Sequence, residues 1–397
     1  TTAALMVLLT GLFAGLHVIL AGIGGNPATG GLFEASLRTL LLLAAGLLLV
    51  SRQRTDDGPI SRWRTVILVG AGIAHGLVMQ GLAWNPWWGL GLVPAGPPVV
   101  NILILIFLAP AVLLVLSGWR RQPTDAWSRT WIAAGALFAV LWALMTLRHL
   151  FHGADMGAAA IGRAEAAAYA VLALATVRLL LSRRLMSTSG RTDWLKQAAH
   201  PAAGVALAAS LYVFALYSSP WWGPSPAPLS SVPGALLLFA LYGLGAISMS
   251  RLRGTGGAIG MVATAGSIGV LFALMSLLIR WGFHGGAMKE ATPGGGFETW
   301  TFSALWAVFG LVTLGLGTAR KNATVRWVAL TVLMGTAAKV LIFDLARLEG
   351  VTRAASFLAV GALFLGGALA ARRLNAKAGA SGTGTDMAAP PDLTDND

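Results

Sequence analysis

The sequence predicts an all-α protein, a polytopic transmembrane helical bundle of about twelve spans arranged as tandem four-helix parallel repeats. Three observations carry that expectation. Of 397 residues, 56% are hydrophobic and only 11% charged, with a mean hydropathy of +0.73, whereas a water-soluble enzyme carries about a quarter charged residues. Apolar runs of about 20 residues, enough to cross about 30 Å of hydrocarbon, follow one another with little interruption. Several marked sequences also recur at an interval of about 130 residues.

The candidate spans lie near residues 3–22, 34–51, 65–83, 100–118, 130–149 and 165–182, then near 199–218, 233–250, 257–280, 300–319, 324–343 and 352–371. Basic residues sit in every second loop: Arg52, Arg54, Arg62 and Arg64, then Arg120, Arg121 and Arg129, then Arg183, Arg184, Arg191 and Lys196. The alternation continues with Arg251 and Arg253, with Arg320, Lys321 and Arg326, and with Arg372, Arg373 and Lys377. By the positive-inside rule these loops face the cytoplasm of a bacterial inner membrane, which puts both termini of this chain inside. The formal net charge of +13 therefore reports membrane topology, and no nucleic-acid partner is expected. Membrane lipids are the expected surroundings, and the sequence names no protein partner. The chain opens Thr1-Thr2-Ala3-Ala4-Leu5 without an initiator Met or a charged leader, which predicts a piece of a longer protein.

The repeat is read from four markers. Pro86-Trp87-Trp88-Gly89 returns as Pro220-Trp221-Trp222-Gly223, and Arg148-His149-Leu150-Phe151-His152-Gly153 returns as Arg280-Trp281-Gly282-Phe283-His284-Gly285. Glu165 and Glu298 follow at the start of the next helix, and Trp63, Trp194 and Trp327 keep the same phase. One period covers four helices, an even number, so successive units run parallel rather than inverted. The expected organisation is a half unit over 1–62, full units over 63–190 and 191–323, a half unit over 324–374, and a disordered cytoplasmic tail over 375–397. On the outer side the Trp pairs fit an interfacial aromatic belt.

Charge at membrane depth is costly unless paired or hydrated, so each polar group near a span calls for a partner. Arg280 and His284 are spaced to share one helix face, with Glu298 opening the next helix; Arg148, His152 and Glu165 repeat the arrangement. One reading is a structural clamp in which the Glu caps its helix and pairs with the Arg across the hairpin. The other is an outward-facing ligand site for an anionic lipid headgroup or glycan, or a site where His and Glu exchange protons with a substrate. His75 and Lys339 hold the same place relative to Trp63 and Trp327. Lys339 is expected to snorkel and form a structural ion pair with Asp344, or to take Glu349 as its counter-ion. Arg38 is one turn from Glu34, and Arg178 also needs a partner. With no cysteine, six scattered histidines and no phosphate loop, no metal and no cofactor are expected.

The run Lys339-Val340-Leu341-Ile342-Phe343-Asp344-Leu345-Ala346-Arg347-Leu348-Glu349-Gly350, with Arg353-Ala354-Ala355-Ser356-Phe357 after it, resembles the domain of unknown function 2339 family of bacterial predicted membrane proteins. The Arg280–Gly285 turn and Glu298-Thr299-Trp300-Thr301-Phe302-Ser303 up to Trp306 are similar to it as well. The resemblance covers about residues 270–375 specifically and implies a membrane location, the C-terminal portion of a longer multi-span protein, and no particular activity.

Three functions follow as expectations. The protein binds or translocates an envelope lipid or glycan precursor from its outer face, using the repeated Arg/His/Glu set. Alternatively it is an outer-leaflet transferase in which His284 is a base oriented by Glu298. The third is a non-catalytic membrane scaffold, for which the clusters should be closed and fully paired.

Overall fold

The structure is a computed structural model that describes residues 2–24, 27–53, 58–88, 96–97, 99–121, 125–157, 160–181, 193–221, 231–287 and 296–344, with isolated positions beyond. Eleven α-helices are described: α1 (Thr2–Gly24), α2 (Pro27–Arg52), α3 (Pro59–Gly76), α4 (Ala109–Arg120), α5 (Ala126–His152), α6 (Arg163–Leu180), α7 (Asp193–Tyr212), α8 (Val232–Leu252), α9 (Gly257–His284), α10 (Gly296–Ala319) and α11 (Ala323–Lys339). Four π-helical segments extend them, Leu77–Ala83 after α3, Ile104–Leu108 before α4, Val213–Tyr217 after α7 and Val340–Asp344 after α11.

Eight helices among the described residues are long and apolar enough to cross a membrane: Gly31–Arg52, Pro59–Trp88, Ala126–His152, Gln197–Tyr217, Val232–Thr255, Gly257–His284, Phe297–Ala319 and Ala323–Ile342. The chain is thus all-helical over these residues and multi-spanning, but twelve spans are not found. Met6–Leu20 and Ile104–Arg120 are apolar but shorter. The segment expected at 165–182 forms α6, which carries Arg163, Glu165 and Arg178 in a helix of 18 residues. Only isolated positions of the stretch expected at 352–371 are described, and the tail over 375–397 lies outside the described residues.

The chain divides into two compact units, Thr1–Tyr169 with Leu180–His200, and Ala170–Leu179 with Pro201–Asp397. In the first, Leu103, Ile106, Phe107 and Leu114 pack with Trp131, Phe138 and Met145 of α5, with Leu43 of α2 and with Val69 of α3. Glycines let these backbones approach: a Cβ on Gly135 would stand 2.9 Å from Ala111 O, and one on Gly118 would stand 2.7 Å from Ser128 O. In the second unit the Phe214 and Tyr242 rings meet edge-on at 5.0 Å, and Tyr242 Oη donates to Phe214 O at 2.7 Å. Asp125, Ser231 and Asn322 cap α5, α8 and α11 by accepting from Ser128, Gly234 and Val325 N–H.

Two helix ends fix the geometry that follows. α5 stops at Gly153 with φ 58°, and α9 stops at Gly285 with φ 54°. A positive φ suits Gly and breaks the helical run, so the repeated Phe-His-Gly is a helix stop that holds the preceding Arg and His on its final turns.

Candidate functional site

The sequence groups Arg148 with His152 and Glu165, and the structure brings them together. Arg148 Nη1 donates to Glu165 Oε1 at 2.8 Å, and His152 Nε2 lies 2.8 Å from Glu165 Oε2. Arg148 Nε donates to the Met156 carbonyl at 2.9 Å. Tyr169 Oη donates to Glu165 Oε1 at 2.9 Å, and Gly162 N–H donates to Oε2 at 3.2 Å. The last bond is half of a capping box, with a Glu in the first turn satisfying a backbone donor that the helix leaves open. The Arg148 guanidinium stands 4.6 Å from the centre of the Trp87 ring.

Arg280, His284 and Glu298 form the same figure. Arg280 Nη1 donates to Glu298 Oε1 at 2.7 Å, and His284 Nε2 lies 2.8 Å from Oε2. The Arg280 guanidinium is 5.9 Å from the Trp221 ring centre. In both sets the imidazole Nε2 also faces the Arg, at 3.1 Å in the first and 3.0 Å in the second. A single ring nitrogen cannot donate to the carboxylate and accept from the guanidinium at once. It therefore has no lone pair left for a third molecule whichever way it is protonated.

Of the tryptophans expected in an interfacial belt, Trp88 and Trp221 are exposed. Trp87 and Trp221 also lie over the arginines, which sequence spacing alone could not show. The segments ahead of them match too. Trp84 N–H donates to Met79 O at 2.8 Å and Ser218 N–H to Val213 O at 2.7 Å, each closing a π-helical turn just before Pro86 or Pro220. A π-turn shifts the phase of the chain that follows it, and such turns favour functional positions.

A related cluster precedes both. Glu34 Oε1 pairs with Arg38 on its own helix and lies 3.0 Å from His17 Nδ1. Arg38 also stands 5.8 Å from the Phe13 ring centre. His17 precedes Glu34 by the interval at which Arg148 precedes Glu165, while Arg38 takes the register of Tyr169. Glu34 follows Gly22 at the interval by which Glu165 follows Gly153, but Leu20-Ala21-Gly22 has replaced the Phe-His-Gly stop and leaves His17 unmarked in the sequence.

The remaining polar groups also find partners. Lys339 Nζ donates to Thr299 O at 3.0 Å and to Ser303 Oγ at 2.6 Å. The side chains of Asp344 and Glu349, its expected counter-ions, lie outside the described residues. His75 Nδ1 lies 2.9 Å from Thr39 Oγ1, which also accepts from Gln80 Nε2 at 3.0 Å. Thr39 and Ser303 hold one register relative to Glu34 and Glu298, so His75 and Lys339 reach equivalent hydroxyls. Arg178 Nη1 donates to Arg251 O at 3.0 Å. Among the described residues no three His, Cys, Asp or Glu side chains gather as metal donors.

The family model described as a predicted membrane protein, DUF2339, matches residues 118–374, well over half of the chain. The chain belongs to the DUF2339 family. The match reaches further toward the N-terminus than the resemblance read near residues 270–375, so it takes in Arg148, His152 and Glu165 as well as Arg280, His284, Glu298 and Lys339. No curated protein and no solved structure matches the chain. Membership in DUF2339 fixes a membrane protein with several apolar helices, and the chemistry rests on the geometry above.

Proposed function

We propose that this DUF2339 chain is a non-catalytic membrane scaffold whose Arg/His/Glu sets are locks holding helix ends together. The observation that carries this reading is the saturation of the Glu165 carboxylate. Arg148 and Glu165 are each 1% exposed, and all four hydrogen bonds described on Glu165 come from the chain itself. A ligand site needs unspent donors or acceptors, and a general base needs an open lone pair.

The matching distances in the two sets, their matching Trp covers and the matching π-turns support an array of tandem four-helix units. The alternation of basic loops supports an inner-membrane setting with both termini of this chain on the cytoplasmic side.

A second reading keeps the outer face as a binding surface for an anionic lipid or glycan precursor. It is favoured by the partial exposure of His152 and His284, at 17% and 21%, beside almost sealed partners. An incoming group would meet the imidazole first. The transferase alternative needs His284 and Glu298 within reach, and 2.8 Å meets that need, but the Nε2 edge it would use is already spent on Glu298 and Arg280.

Native mass spectrometry of the intact chain in mild detergent, beside Arg280→Ala and His284→Ala, separates these readings. The scaffold predicts the same bound species in all three and a lower unfolding temperature in the variants. A discrete lipid or glycolipid lost only from the variants would overturn it in favour of the outer-face site.

A further inference from the structure

The second unit holds a cavity of about 450 Å³ between α9, α10 and the start of α11, a size typical of ligand sites. Arg280, His284 and Glu298 do not line it. α10 packs chiefly on α11 and lightly on α9, which leaves a cleft between α9 and α10. Leu305, Val312 and Leu316 follow one face of α10 toward Arg320. At 1.5 Å per residue the stretch from Leu305 to Arg320 is about 22 Å long, close to the distance of about 20–22 Å from the bilayer midplane to the outer edge of the headgroups.

The opposite wall is apolar for a specific reason. α9 presents Ile268, Leu271 and Met275, while its hydroxyls along the cleft are turned into backbone bonds. Thr264 Oγ1 donates to Gly260 O at 2.7 Å and Ser267 Oγ to Ala246 O at 2.9 Å. At one end stand Arg253 and Arg320, both exposed and neither ion-paired to a carboxylate among the described residues. Two guanidiniums at the mouth of an apolar cleft one leaflet deep call for an occupant with an acyl chain and a negative headgroup. A zwitterionic lipid would bring an ammonium beside the two guanidiniums, which a headgroup of net negative charge does not.

We propose that this cleft binds a glycerophospholipid with an anionic headgroup, one acyl chain lying between α9 and α10 and the phosphate held by Arg253 and Arg320. The basic-loop pattern puts the headgroup in the cytoplasmic leaflet, so this site is separate from any outer-face binding at His152 or His284.

The test uses the full chain, stripped of lipid in detergent and offered phosphatidylglycerol or phosphatidylcholine of identical acyl chains, with retention read by native mass spectrometry. The wild type should retain one phosphatidylglycerol in preference to phosphatidylcholine. Arg253→Gln with Arg320→Gln should weaken that retention about 30-fold, each arginine near the surface contributing about fivefold. Val312→Trp, at a position 56% exposed to the cleft side rather than packed in the core, should displace the chain with both arginines intact. Equal retention of the two lipids by the wild type overturns the proposal, as does undiminished phosphatidylglycerol binding in either variant.

Discussion

Arg148 and Glu165 pair at 2.8 Å with both side chains 1% exposed, so neither charge has water to fall back on if the other is removed. The pair closes the hairpin between α5 and α6, and Gly153 sets its geometry by stopping α5 where the Arg and His still point together. Desolvation makes such a pair an insecure source of net stability when intact and a large liability when half of it is lost.

Glu165→Gln keeps the shape of the side chain and removes its charge. The expected cost is about 3–5 kcal/mol, because Arg148 is left buried and uncompensated. His152→Ala should cost less, about 1–2 kcal/mol, since the imidazole is partly exposed and its loss strands no full charge. Unfolding temperatures in one detergent, compared across the wild type and both variants, check the order. A Glu165→Gln variant as stable as the wild type would remove the lock.

Asp125 gives a pH dependence outside the spans. Burial works against its ionisation, but Arg121 donates to both carboxylate oxygens, at 2.9 Å and 2.7 Å by its closest bonds, and Ser128 N–H donates to Oδ1 at 2.9 Å. Together these hold the carboxyl below its usual range. A depressed folded pKa stabilises the protein above the unfolded value, about 3.9, and that contribution fades as pH falls through the folded value. Asp125→Ala should therefore cost about 1 kcal/mol near neutral pH, a modest figure because the side chain is one-third exposed. The gap between wild type and variant should narrow below about pH 4. A gap that widens on acidification contradicts the assignment.

Spacing in the sequence revealed the two main clusters because the chemistry is carried by a helix stop and a helix start, both of which leave local marks. Arg280-to-Gly285 and Glu298 name three of the four partners before any coordinates. The fourth, Trp221 over Arg280, depends on how two unlinked segments meet, and Tyr169 on Glu165 was hidden because tyrosine near a membrane surface has many ordinary uses. His17 escaped because the stop motif has become Leu20-Ala21-Gly22, although Glu34 keeps from Gly22 the interval that Glu165 keeps from Gly153. Span number is less legible where charge interrupts apolar content, as with Arg163, Glu165 and Arg178 in α6, which keeps that helix out of the eight long apolar ones among the described residues. Lys339 found Ser303 across the helix pair, a contact set by packing register and invisible to a search for acidic partners.

The glycines separate into packed and open ones. A Cβ on Gly135 would meet Val115 Cγ2 at 2.8 Å and Ala111 O at 2.9 Å, while one on Gly269 would meet nothing within 4 Å. Gly135→Ala should push α4 from α5 and cost about 1–3 kcal/mol. Gly269→Ala should be neutral or stabilising by up to about 1 kcal/mol, since Ala is the better helix former. Paired thermal unfolding measurements decide, and equal losses in both would mean that α4 and α5 do not meet at Gly135.

Lys339 offers a coupling test. Its ammonium lies within a span and donates to Ser303 Oγ at 2.6 Å and Thr299 O at 3.0 Å. Ser303→Ala removes an acceptor from a cation that hydrocarbon will not solvate, at an expected cost of about 1–3 kcal/mol. Lys339→Met removes the cation itself, so the hydroxyl loses a donor but no charge is stranded. If the contact is energetically real, adding Ser303→Ala to Lys339→Met should cost clearly less than adding it to the wild type, with a coupling of about 0.5–3 kcal/mol. The same cycle on His75 and Thr39 should show a smaller coupling, because Thr39 Oγ1 keeps Gln80 Nε2 as a second partner at 3.0 Å. Strict additivity at Lys339 and Ser303 would leave the lysine's solvation to other groups and break the parallel with His75.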